Sequence, residues 1–201
     1  PAQLGACAAG AIFANAIMAP RVLAIVAVIN PPLASRLAPP VIAAGVLFAL
    51  AGVFLLRRSA SERPGESSGL DVVNPLDLVA VLKFGALLAT VMILSRLATH
   101  FAGDIGAYAL ALLSGIADVD AIALTMARLG ATEIGVGAAA GSILLALLSN
   151  TTSKIVMGIV IGGAAMGWRL AAASILAVAG ALVALWASGF AELSDSLRLP
   201  L

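Results

Sequence analysis

Long apolar runs, each interrupted by a few polar positions, organise this chain. Six can be drawn, at 4–29, 39–56, 75–101, 105–129, 134–161 and 170–190. A membrane span needs about 20 mostly apolar residues. The pattern therefore predicts an all-α fold: a polytopic transmembrane helix bundle of about six spans, forming a single domain over 1–201.

The interruptions predict one or two broken helices. In the first run Asn15, Pro20 and Arg21 fall mid-segment, and Pro20 removes a backbone donor and should kink or split the helix. Asn30-Pro31-Pro32 ends that run and leaves Arg36 in a connecting loop. Pro39 and Pro40 open the second helix, since first-turn donors are unpaired in any case. The stretch 57–74 (RRSASERPGESSGLDVVN) is the one long polar segment and reads as an aqueous loop. The third run carries Lys83 two turns in. The fifth is broken by six polar residues, 149–154 (SNTTSK), and Gly162-Gly163 closes it. If the 57–74 loop is cytoplasmic, the excess of Arg there and at Arg128 and Arg198 over Arg36, Arg96 and Arg169 puts both termini inside.

Composition sharpens this picture. The chain is 62% hydrophobic and 10% charged, against about 25% charged for a soluble domain. Abundant Gly and Ala suit close helix packing in lipid. A net charge of +1 gives no basic surface for nucleic acid. Single cysteine and histidine residues exclude an intrachain disulfide and a His-rich metal site. There is no Walker loop, nucleophile elbow or HExxH, so no catalytic residue and no enzymatic activity is expected.

Chemistry concentrates in the fourth run, where Asp118 and Asp120 sit near the middle. Charge at bilayer depth is expensive and marks ion or proton paths. In an unbroken helix the two would point about 200° apart, so they converge only if the helix unwinds, with Ser114-Gly115 a plausible place. The sharp reading is an ion site at Asp118 and Asp120, with Asn150, Thr151 and Thr152 beside it and Arg21, Lys154 and Lys83 as charge partners. Hard cations take carboxylate and carbonyl oxygens, so a divalent metal on Asp118 and Asp120 is one form of that site. The bland reading makes Asp118 or Asp120 half of a structural ion pair with Lys154, Arg21 or Lys83.

A faint repeat relates 4–56 to 134–190. One offset brings Arg21-Val22-Leu23 onto Lys154-Ile155-Val156 and Arg36-Leu37-Ala38 onto Arg169-Leu170-Ala171. Chance similarity among Ala/Leu/Val-rich helices is the competing account. The first unit lacks a counterpart of the aspartate helix, which would lie upstream of Pro1 or on another chain.

The strings NPLDLVAVLKFGALLATVMILSRLA, GDIGAYALALLSGIADVDAIALTMARL and LLSNTTSKIVMGIVIGG, with RVLAIVAVINPPLA before them, resemble the C-terminal membrane domain of unknown function in MgtC/SapB-type bacterial proteins. That resemblance implies a multi-pass protein of the bacterial inner membrane and carries no ligand assignments. The expected function is transport or conduction of a small ion, a cation or a proton, by a homodimer in the lipid bilayer. The alternative is a non-transporting membrane regulator or assembly subunit that binds other membrane proteins. No cofactor is expected beyond a bound divalent cation under the metal reading.

Overall fold

The computed structural model describes residues 2–60 and 104–197, with helical positions at 89, 90, 93, 94 and 97 between them. The described residues are almost wholly helical and include no strand. They form α1 (Ala2–Ile29), α2 (Pro31–Ala60), α3 (Asp104–Ala117), α4 (Val119–Thr132) and α5 (Val136–Leu197). Three stretches are long and apolar enough to cross a membrane: Cys7–Ile29, Pro31–Ser59 and Val136–Gly189. The expected span at 75–101, with Lys83, lies almost entirely outside the described residues, as does most of the 57–74 loop.

Several expected breaks are absent, for physical reasons. α1 runs on through Pro20. The donor that Pro20 lacks would have served the carbonyl of Ala16. Gly45 lets α2 close on that turn: a β-carbon there would stand 2.7 Å from Ala19 Cβ and 3.7 Å from the Ala16 carbonyl oxygen. Close neighbours of this kind let a membrane helix tolerate proline. α2 begins at Pro31 instead of Pro39, so Asn30 alone joins the two helices and Arg36 lies on an exposed helix surface. Asn30 makes this short turn work. Its Oδ1 accepts the Leu33 N–H at 3.2 Å and its Nδ2 donates to the Ala127 carbonyl at 3.2 Å.

The run 149–154 is helical throughout. Its side chains bond to carbonyls and leave the backbone ladder intact. Thr152 Oγ1 donates to Leu148 O, Ser149 Oγ to Leu112 O, and Asn150 Nδ2 to Gly115 O. The break in α5 comes at Gly163, with φ 76° and ψ 175°, a conformation open in practice to glycine alone. Gly163 folds α5 back on itself. Leu170 lies over Gly158, and Ile159 lies over Gly167.

Two helical hairpins result, α1–α2 turning at Asn30 and the arms 136–162 and 164–197 turning at Gly163. The offset that matches Arg21 to Lys154 also carries Asn30 onto Gly163. The hairpins pack head to tail. Val22 and Val26 of α1 share a core with Ala139 and Ile143, whereas Ile12 clusters with Ile155, Leu170 and Ala173. At the far end a β-carbon on Gly5 would collide with Ser59 Oγ and approach Arg169 Nη1 at 3.4 Å. Arg169 therefore lies at the end of the bundle that holds Arg57 and Arg58. Arg128, next to the Asn30 contact, shares the other end with Arg36. This corrects the grouping of arginines drawn from the sequence, and the described arginines no longer favour one orientation.

The outer surface is apolar, with Val28 86%, Ile161 79% and Val160 78% exposed. Exposed apolar surface on this scale suits contact with lipid.

Candidate functional site

α3 and α4 are two 14-residue pieces that meet at Asp118. Each is about 21 Å long, short of the roughly 30 Å hydrocarbon core. The chain leaves the helical conformation at Asp118 itself (φ −157°, ψ 134°), and Ser114 and Gly115 remain helical. Aspartate can terminate one helix and start the next because its carboxylate replaces backbone acceptors. Asp118 Oδ1 accepts the Asp120 N–H at 3.2 Å and Oδ2 accepts the Ala121 N–H at 3.1 Å. An unbroken helix would give those donors to the carbonyls of Ile116 and Ala117. The cap therefore releases two carbonyl oxygens at the C-terminal end of α3. Replacing Asp118 by alanine should cost about 1–2 kcal/mol of stability, whereas Asp118→Asn should cost less, since its one amide oxygen can keep one of the two bonds. Thermal unfolding in detergent reads the difference.

Asp120 faces α1 and pairs with Arg21. The two aspartates thus do different work, Asp118 capping α4 and Asp120 pairing with Arg21. Among the described residues no group of three or more His, Cys, Asp or Glu side chains is placed to hold a metal ion. The Asp120 side chain is 15% exposed and that of Arg21 is 60% exposed. One carboxylate oxygen of Asp120, Oδ1, is buried and has no hydrogen-bond partner among the described residues.

Lys154 takes a partner that the sequence did not suggest. Its ammonium donates to Asn15 Oδ1 at 2.7 Å and lies 3.9 Å from Met18 Sδ, so it is not the counter-charge of either aspartate. Asn150 does stand at the break, since its Nδ2 holds the Gly115 carbonyl at 3.0 Å while its own Oδ1 is buried without a partner among the described residues. Thr151 is buried and lines a cavity between the hairpins. Thr152 is exposed and bonds its own helix, so it stands apart from the break.

Gly115 permits this arrangement. A β-carbon on it would stand 2.5 Å from the Ala146 carbonyl oxygen and 2.8 Å from Ala146 Cα. The backbones of α3 and α5 are therefore in contact, which brings Asn150 and Ser149 to α3. Sequence reasoning missed Asn15, Asn30 and Ser149 as positioning groups. Their signal was that each is a small polar side chain in or beside an apolar run, where it must find a partner.

Known proteins add little chemistry. An uncharacterised protein of Aquifex aeolicus (strain VF5) is 44% identical over 99 residues, covering 48% of this chain and 43% of the relative. The match thus spans less than half of that relative's length. No solved structure matches. The profile of a domain of unknown function (DUF4010) matches residues 1–162, without any link to MgtC/SapB proteins. On that match, which covers most of its length, the chain belongs to the DUF4010 family.

Proposed function

We propose that this membrane protein moves a small cation, a proton included, through the break between α3 and α4, and that it has no enzymatic activity. The observation that carries the reading is the helix break at Asp118, with an ion-paired Asp120 two residues on. Discontinuous helices in transporters expose half-helix carbonyls that coordinate cations. Here the released carbonyls of Ile116 and Ala117, the unpartnered Asp120 Oδ1 and the unpartnered Asn150 Oδ1 are all oxygen acceptors near one break. The Arg21 guanidinium holds Asp120 while the site is empty, and an arriving cation or proton competes with it. A homodimer in the bacterial inner membrane is part of the same reading, since so small a bundle with charge inside it gains from a partner copy.

Flux into proteoliposomes tests this, with monovalent and divalent cations and a pH gradient. Wild-type protein should carry one of these ions, and Asp120→Asn should lower its flux at least tenfold while the protein stays folded. Asp118→Asn should keep more of the flux than Asp120→Asn, because its amide oxygen keeps one of the two cap bonds. A wild-type protein that moves none of the ions would sink the proposal in favour of a regulator or assembly subunit.

A further inference from the structure

A cavity of about 180 Å³ lies between the α1–α2 hairpin and the two arms of α5. Its walls are almost wholly apolar, with Met18, Phe48, Leu148 and Ala181 among them. Its place in the fold is not arbitrary. The offset that matches Arg21 to Lys154 carries Asn15 onto Leu148, Met18 onto Thr151 and Phe48 onto Ala181, and all six residues line the cavity. It also carries Leu47 onto Gly180, and these two positions touch. The cavity thus straddles the axis relating the two head-to-tail hairpins. Substrate sites of transporters built from inverted repeats lie at such an interface.

Lys154 does not line the cavity, but two of the residues that line it touch its ammonium: the Asn15 amide oxygen accepts from it, and Met18 lies against it. An ammonium has three donors, and Asn15 Oδ1 takes one of them. Asp120 is held by Arg21 and leaves Lys154 to Asn15. A greasy chamber with an ammonium against two of its lining residues complements a small anion with an apolar body. An apolar cavity of about 150 Å³ takes a benzene-sized molecule, so this one suits about six carbons.

We propose that the cavity between the hairpins binds a short-chain monocarboxylate. Its chain runs along the Phe48 and Ala181 wall, and its carboxylate sits at the Lys154–Asn15 end. The site is separate from the cation path at Asp118, and either assignment can fail alone.

Equilibrium dialysis of radiolabelled hexanoate against the full chain in nanodiscs tests it, with hexanol and hexylammonium as competitors. Hexanoate should bind saturably. Hexanol should compete at least tenfold more weakly than unlabelled hexanoate, and hexylammonium should not compete. Lys154→Gln should weaken binding at least tenfold, and Lys154→Arg should restore most of it. Ala181→Phe should fill the cavity and abolish binding; Val178→Phe replaces it if that variant does not fold. No saturable binding, hexanol competing as well as hexanoate, or binding that survives both the Lys154→Gln and the cavity-filling changes would each overturn the proposal. So would a lipid acyl chain that stays in the cavity and that hexanoate does not displace.

Discussion

Arg21→Ala should destabilise the folded protein by about 2–3 kcal/mol, through the charge it strands. Asp120 is 15% exposed and pairs with Arg21. An unpaired Asp at the centre of a membrane helix costs about 2.5–3.5 kcal/mol on insertion scales. The exposure of Arg21 brings the expectation somewhat below that range. Lys154 is bonded to Asn15, and the cation paired with Asp120 is Arg21. Asp120→Asn in the Arg21→Ala background should recover most of the loss, because a neutral amide no longer needs a cation. Unfolding in mixed micelles at rising SDS fraction measures all three variants. A double variant no more stable than Arg21→Ala alone would show that Arg21 acts through packing instead of charge.

Gly115→Val should cost about 3 kcal/mol and move α3 away from α5. A valine β-carbon would stand 2.5 Å from a backbone oxygen, and backbone cannot rotate aside as a side chain can. Overpacking of this kind costs about 1–3 kcal/mol, and separating the helices also breaks the bonds from Ser149 to Leu112 O and from Asn150 to Gly115 O. Disulfide formation between cysteines placed at Leu112 and Ser149 should fall sharply in the Gly115→Val background. An unchanged cross-linking yield would place the close approach elsewhere.

The apolar runs announced the membrane and the helices because hydrophobicity over about 20 residues is a coarse signal that neighbours rarely override. The breaks were harder to read. Pro20, Pro39 and Pro40 look like helix breakers in isolation, yet each sits inside a helix. Close neighbours such as Gly45 support the weakened turn of α1, and a sequence does not display them. Conversely Asp118 gave a charge signal that hid its structural one: a capping aspartate and an intramembrane carboxylate look the same in a string of letters. The pairing of Arg21 with Asp120 was among the alternatives the sequence left open. Lys154 went to Asn15, since partner choice depends on which helix faces which, and that is set by the two hairpin turns.

Those turns have a mechanical consequence. At Asn30 and at Gly163 the two arms are joined by a single non-helical residue, so neither hairpin has slack at its closed end. Each can splay only at its open end, as a pair of tongs does. Because the hairpins lie head to tail, the two open ends point to opposite faces of the bundle. On the transport reading, opening one pair of tongs would admit water from one side only, while the hinge of the other keeps the far side shut.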